Sequence, residues 1–230
     1  VPLQAPERWV KYYVDKFGDE VPYTGDKGYF PCRYPHATYA AMISYWDEQV
    51  GALTQQLKDL GLYENTLVIF TSDNGPTFNG GADSRWFDSA KPFSSDQGWG
   101  KASLREGGIR VPMIAAWPRQ IKPGTVTDHI SAFWDVLPTF ADIIGVTVTD
   151  SDGISFLPVL QGKPQPEHDY LYWEYPESGG SKAIRVGDWK GYIPDIKKGN
   201  TQMSLYNLKD DPIEQHDIAA EHPDIVKQLE

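Results

Sequence analysis

Two short segments hold side chains suited to chemistry. In the first, Ser72-Asp73-Asn74-Gly75-Pro76 follows an uncharged run at 66–71 made mostly of apolar, β-branched and aromatic residues. Such a run predicts a strand buried on both faces of a parallel sheet. The character then changes within one residue. Ser72, Asp73 and Asn74 offer oxygen donors, and Gly75-Pro76 imposes a turn. In open α/β sheets, ligands bind just past the carboxyl ends of strands. A carboxylate beside a neutral amide oxygen suits a hard cation, Ca2+ or Mg2+. The same Asp-Asn-Gly is also ordinary turn vocabulary. The second segment is Gly98-Trp99-Gly100-Lys101-Ala102-Ser103-Leu104-Arg105-Glu106-Gly107-Gly108-Ile109-Arg110-Val111-Pro112. Its glycines allow close backbone approach to a ligand, and Lys101 offers a compact point charge to an anion. The competing description is an exposed lysine on a loop that a Glu106–Arg110 pair holds in shape.

The elements that must position these residues can be read from periodicity. Trp9, Val10, Tyr13, Val14 and Phe17 predict a short helix stopped by Gly18. Prolines and glycines at 18–35, Gly28 among them, predict a loop. A long helix over 36–60 carries Tyr39, Met42, Ile43, Trp46, Val50, Leu53, Leu57 and Leu60 as its apolar stripe, and Gly61 ends it. Helix, turn and strand then make an αβ unit. Residues 72–110 show little periodicity, and loops of that length in compact domains are functional or disordered. Trp86, Phe87, Phe93 and Trp99 argue for order. A second buried strand is predicted at 111–117. A helix at 131–144 has Pro138 near its first turn and Gly145 at its end. The polar, Pro-rich stretch at 161–167 marks a subdomain boundary, giving domains 1–163 and 164–230. Beyond it, strands are predicted at 170–175, 182–186, 189–193 and 204–208, then a helix at 218–229. The fold class is α/β, followed by a small α+β subdomain with an antiparallel sheet.

Composition narrows the function. The 230 residues carry a net charge of −11, which argues against a nucleic-acid backbone as partner. An anionic substrate would need a few well-placed cations against that field. No segment has the apolar length of a membrane span. Cys32 is the single cysteine, so no internal disulfide can form. The opening residues, without an initiating Met, read as the interior of something longer, so the chain is expected to be a piece of a larger protein.

Taken together, the two segments resemble the sulfatase family of the alkaline-phosphatase superfamily. The family pattern, strand-S-D-N-G and then G-x-K-x-x-x-x-E-G-G-x-R-V-P, is matched at Ser72-Asp73-Asn74-Gly75, Gly100-Lys101, Glu106-Gly107-Gly108 and Arg110-Val111-Pro112. Flanking stretches are also family-like: Pro2-Leu3-Gln4-Ala5-Pro6, Asp135-Val136-Leu137-Pro138-Thr139, Asp152-Gly153, and Leu205-Tyr206-Asn207-Leu208 with Asp210-Asp211-Pro212. The resemblance implies an alkaline-phosphatase-like α/β/α sandwich and hydrolysis of sulfate esters. It makes Asp73 and Asn74 ligands of Ca2+, with Mg2+ as the alternative. Lys101 then binds the sulfate oxygens and neutralises charge. It also implies a formylglycine nucleophile, a sulfated small molecule or glycan as partner, and a periplasmic or secreted protein. The neutral Asn74 is where two-zinc phosphatase relatives commonly carry His.

The departures set the limits of that likeness. The nucleophile motif C/S-x-P/A-x-R is absent, and Cys32-Arg33-Tyr34-Pro35-His36 does not supply it. The paired aspartates and a catalytic His of the family's N-terminal half are also missing. The chain is therefore expected to be the C-terminal half of such a protein, with the N-terminal half as its partner and no activity alone. Two alternatives stand beside it: a phosphate or phosphonate monoester hydrolase of the same superfamily, and a non-catalytic homologue that binds sulfated glycans. His36, His129, His168, His216 and His222 read as structural or surface groups. Residues 77–96 are candidates to line the cleft, with Asp83, Arg85 and Trp86 either holding a sugar or stabilising the loop.

Overall fold

Helix α1 (Glu7–Phe17) and helix α2 (Pro35–Asp59) form where the apolar periodicity places them. Pro35 starts α2 at a position whose N–H has no helical partner to lose. The cap comes from a distant side chain: the Glu20 carboxylate accepts the N–H groups of His36 (2.8 Å) and Ala37 (3.0 Å). A carboxylate there also suits the positive end of the helix dipole. Arg8 and the Trp9 indole N–H both donate to Glu48, at 2.6 and 2.8 Å, and the Tyr13 and Ser44 hydroxyls lie 2.7 Å apart, which fastens α1 to α2.

The computed structural model describes residues 2–26, 29–77 and 80–230, the Gln97 side chain excepted. Gly28 of the predicted loop, and Phe78 and Asn79 of the predicted cleft lining, lie outside the described residues. Two compact units emerge, one of 1–61 with 72–111 and the other of 62–71 with 112–230. Among the described residues no helix is long and apolar enough to cross a membrane.

In the first unit the inner face of α2 differs from the predicted stripe. Pro35, Ala37, Thr38, Ala40 and Ala41 are buried, whereas Ile43, Trp46, Leu53 and Leu60 are exposed. Periodicity reports which face is apolar, not whether a neighbour covers it. The 72–111 loop is ordered, with a 3-10 turn at Asp96–Gly98 and one turn of helix, α3 (Glu106–Ile109). Its two ends meet main chain to main chain. Gly75 N–H donates to the Gly108 carbonyl (2.8 Å) and Lys101 N–H to the Pro76 carbonyl (2.9 Å). Side chains have no room at this crossing. A Cβ on Gly75 would lie 1.8 Å from the Gly107 carbonyl oxygen, and one on Gly107 would lie 1.7 Å from that of Ser94.

In the second unit, β1 (Val68–Thr71) pairs with β2 (Met113–Ala116) in register Val68 to Ala116. The pairing is antiparallel, and β1 is half-buried along its length. This corrects the expected parallel strand buried on both faces. A connection as long as 72–112 allows a return in either direction, and here the return beside β1 is antiparallel. Met113 and Ile114 of β2 are exposed.

The next helix, α4 (Val136–Ile144), has Pro138 in its first turn and Gly145 left-handed at its end, as predicted. Its inner face is again the less apolar one. Thr139 and Ala141 are buried, while Phe133, Leu137, Phe140 and Ile144 are exposed at helical spacing. What organises this region is polar. Asp135 is fully buried. Its carboxylate accepts the N–H of Ala132 (2.7 Å) and of Ile154 (2.8 Å), and lies 2.8 Å from His168 Nε2. Thr139 Oγ1 donates to the Asp135 carbonyl (2.7 Å) and accepts the Phe156 N–H (2.9 Å). Three chain segments are thereby fixed around one carboxylate, just before the short helix α5 (Leu157–Leu160).

The part beyond residue 163 holds the antiparallel sheet expected of it. Strands β3 (Leu171–Tyr175), β4 (Ser181–Val186), β5 (Trp189–Pro194) and β6 (Ser204–Asn207) form a meander in chain order. Leu171, Ala183, Leu205, Tyr206 and Leu208 are buried. Buried with them is an ion pair, Lys190 Nζ to Glu214 Oε1 at 3.1 Å. The closing helix α6 spans Pro223–Leu229 rather than 218–229. Pro223 cannot continue a helix begun upstream. Residues 217–219 are instead tied to β6: Leu205 N–H donates to the Asp217 carboxylate (3.0 Å) and Ile218 N–H to the Leu205 carbonyl (3.0 Å).

Two stability predictions follow from these contacts. Gly75→Ala, whose Cβ would lie 1.8 Å from the Gly107 carbonyl oxygen, should lower stability by roughly 1–3 kcal/mol, the usual cost of overpacking. Gly51→Ala, on α2 with nothing within 4 Å of the added Cβ, should instead raise it by about 0.5–1 kcal/mol through helix propensity. Thermal unfolding of the pair decides the point, and equal melting temperatures would contradict the crossing. Asp135→Ala should cost about 3–5 kcal/mol, because it strands buried donors and His168. Denaturant unfolding reads this directly, and a loss below about 1 kcal/mol would mean water replaces the carboxylate.

Candidate active site

The turn after β1 carries its donors outward. The Ser72 hydroxyl donates to the Asn74 carbonyl (2.8 Å), and the Asn74 amide nitrogen donates to the Gly75 carbonyl (2.9 Å). That bond uses an N–H of the Asn74 amide and leaves the amide oxygen available as a metal ligand. Asp73 is exposed, and its carboxylate makes no hydrogen bond or ion pair among the described residues. The side chains therefore offer one carboxylate and one amide oxygen at adjacent positions. That set fits a hard cation by donor type and would supply two of the roughly six to eight oxygens that Ca2+ takes. Among the described residues no cluster of three or more His, Cys, Asp or Glu side chains is placed to hold a metal.

Lys101 is brought to this turn by its backbone, through the bond to Pro76, while its ammonium group stays exposed. The following residues are held by their own partners. Arg105 lies over the Trp99 ring at 4.6 Å, and Arg110 over Phe93 at 4.8 Å. Glu106 is buried, and its carboxylate sits 3.5 Å from Arg110. The Glu106–Arg110 pair thus has the loop-holding role considered from sequence. Asp73, Asn74 and Lys101, predicted separately, share one small region of the first unit.

The sequence missed a second cluster in the same unit. His36 Nδ1 lies 3.1 Å from Glu20 and its Nε2 lies 3.1 Å from Asp83. Its ring stacks on Trp86. Arg85 is largely exposed, 3.9 Å from Asp96. Only the mixture of Asp83, Arg85 and Trp86 in one short stretch signalled this cluster, because Glu20 and His36 reach it from elsewhere in the chain. Cys32 forms a β-bridge with Tyr23, and its thiol donates to Thr38 Oγ1 at 3.4 Å.

In the second unit a cavity of about 470 Å³ is lined by His129, Glu167, His168, Tyr170 and Arg185, among others. Burial pushes the His129 imidazole below its ordinary pKa, against the pull of the Asp135 and Glu167 carboxylates. His168 serves Asp135, His222 packs against the Trp189 ring, and His216 lies 3.7 Å from Asp211. Widely separated segments build this cavity, so no local pattern announced it.

Comparison with known proteins identifies the family and the fold. The Sulfatase family profile matches residues 1–146, and that of the N-sulphoglucosamine sulphohydrolase C-terminal region matches residues 96–230. An N-acetylglucosamine-6-O-sulfatase of Bacteroides thetaiotaomicron is 29% identical over 100% of this chain and 40% of its own length. Bovine (Bos taurus) arylsulfatase A is 32% identical over 87% of this chain and 44% of its own. The crystal structure of Ps i-CgsB in complex with k-i-k-neocarrahexaose superposes with a TM-score of 0.76 at 27% identity, covering 100% of this chain and 46% of that one. The chain thus spans less than half the length of these relatives. Its fold is that of the alkaline-phosphatase-like sulfatases, an α/β region followed by an antiparallel sheet, and the chain belongs to the sulfatase family.

Proposed function

We propose that this chain is the C-terminal part of a sulfatase that hydrolyses sulfate esters of a glycan. The observation that carries the reading is the main-chain crossing. It brings the Asp73-Asn74 turn and the Lys101 backbone together, with the Asp73 and Lys101 side chains exposed. Asp73 and Asn74 would hold Ca2+, with Mg2+ as the alternative hard cation. When bound, that ion supplies Lewis-acid polarisation of the ester oxygens. Lys101 binds a sulfate oxygen and offsets the negative charge that grows as the ester bond breaks. Glu106 and Arg110 hold the loop that carries the lysine.

The remaining half of the protein would complete the ligand set and bring the nucleophile, a formylglycine made from Cys or Ser. Support for such a partner is physical. Ile43, Trp46 and Leu53 on α2, Met113 and Ile114 on β2, and Leu137, Phe140 and Ile144 on α4 all stand exposed. Apolar faces of this kind are normally covered. The 230 residues alone would then lack activity. That relatives carry names such as N-acetylglucosamine-6-O-sulfatase, and that one is solved with a neocarrahexaose, supports a sulfated glycan as substrate class.

The test uses the full-length protein and compares sulfate with phosphate monoesters. Sulfate esters should be turned over faster; preference for phosphate or phosphonate esters would favour the other branch of the superfamily. Asp73→Ala should abolish turnover and weaken Ca2+ binding measured by calorimetry. Retained activity with unchanged Ca2+ affinity would remove Asp73 from the metal site. Lys101→Ala should lower kcat/KM by roughly 10²–10³, the scale of losing one charge-stabilising donor, with an unchanged circular dichroism spectrum. A wild-type rate would reduce Lys101 to a loop residue.

A further inference from the structure

Trp86 holds a large ring at the surface and holds it still. The residue is 50% exposed. The His36 imidazole stacks on the indole with centroids 4.5 Å apart and planes 5° from parallel. That imidazole is itself clamped between the Glu20 and Asp83 carboxylates. Asp83 Oδ1 also accepts the Trp86 backbone N–H (3.1 Å), and Phe17 and Phe87 pack edge-on at 5.2 and 4.5 Å. An exposed indole leaves apolar area in water. Fixing it in advance removes the ordering cost a ligand would otherwise meet.

We propose that Trp86 is a stacking platform for a pyranose ring of the glycan that bears the sulfate ester. The inference rests on the sulfatase reading and adds a substrate-recognition residue to it. A pyranose has one face of C–H groups and a rim of hydroxyls. The electron-rich indole face suits the first. For the second, Asp83 is 44% exposed at the side chain and Arg85 84%, so an acceptor and a donor flank the ring. A single aromatic ring edged by charged groups fits a polyhydroxylated ligand better than a protein surface, which calls for a continuous apolar core. The platform is also tied to the segment that presents Lys101. The Ser84 and Ser95 hydroxyls lie 3.1 Å apart, and the Ser94 carbonyl sits against Gly107.

The experiment compares wild type, Trp86→Ala and Trp86→Tyr in the full-length protein. Two substrate classes are used: 4-nitrophenyl sulfate, which has no pyranose, and a sugar panel of N-acetylglucosamine 6-sulfate, N-acetylgalactosamine 6-sulfate and a carrageenan hexasaccharide. Trp86→Ala should raise KM for the sugar substrate about tenfold, a typical loss for one aromatic stacking partner. The sugar-to-aryl ratio of kcat/KM should fall with it, and Trp86→Tyr should restore most of the ratio. Should Trp86→Ala fail to fold, Trp86→Leu keeps the apolar bulk without the flat face and serves the same comparison. Equal losses on both classes, or a changed oligomeric state with no change in the ratio, would overturn the platform and make Trp86 a packing residue. So would a wild type that binds no member of the sugar panel by calorimetry. If the wild type binds a sugar sulfate in a Trp86-dependent way yet hydrolyses neither class, the sulfatase reading fails and the platform stands.

Discussion

Main-chain contact, with no side chain interposed, is what the candidate site depends on. The 72–76 turn and the 100–108 segment touch through Gly75 N–H to the Gly108 carbonyl and Lys101 N–H to the Pro76 carbonyl. Backbone has no rotamers to search, so such a joint fixes position more tightly than a pair of long side chains would. Steric exclusion enforces it, since a Cβ at Gly75 would lie only 1.8 Å from the Gly107 carbonyl oxygen. Asp73 and Lys101 can then keep their charged ends in solvent, because their placement costs them no partners. The local cation balance is consistent with this arrangement. In a chain of net charge −11, Lys101, Arg105 and Arg110 fall within ten residues. The two arginines are engaged by Trp99, Phe93 and Glu106, while the exposed Lys101 has its backbone N–H bonded to Pro76 at the joint.

The helices, the four-stranded sheet and the motifs that carry Asp73, Asn74 and Lys101 were legible because each is written locally. Periodicity, caps and short motifs need no knowledge of the rest of the fold. Three features were not legible. The inner face of α2 proved to be its alanines, because Ile43, Trp46 and Leu53 mark an apolar face but not its neighbour. The direction of β2 depended on a long loop whose path no local rule gives. The start of α6 followed from Asp217 and Pro223, where side-chain capture at β6 competed with a helix pattern that looked continuous. Beyond those three, the approach of Glu20 and His36 to the Asp83–Trp86 stretch and the 470 Å³ cavity escaped reading for one reason: their members come together only in three dimensions.

Two shortfalls of different origin have a common explanation under the proposed reading. One is hydrophobic. Exposed Leu, Ile, Phe and Trp side chains on α2, β2 and α4 each leave on the order of 1 kcal/mol of burial free energy unrealised, being roughly half exposed. The other is coordinative. Asp73 and Asn74 provide two oxygens where a calcium ion takes roughly six to eight. Nothing in hydrophobic packing requires the metal shell to be short of ligands, and nothing in coordination chemistry requires a helix to turn its apolar stripe to water. A single additional body of chain would supply both remedies, covering the stripes while carrying the missing donors. The relatives are more than twice as long as the chain aligned to them. A surface that must be covered and a metal site that must be completed by the same partner would make assembly and catalytic competence one event, with the Gly75–Gly107 crossing holding this chain's share of the site in place for it.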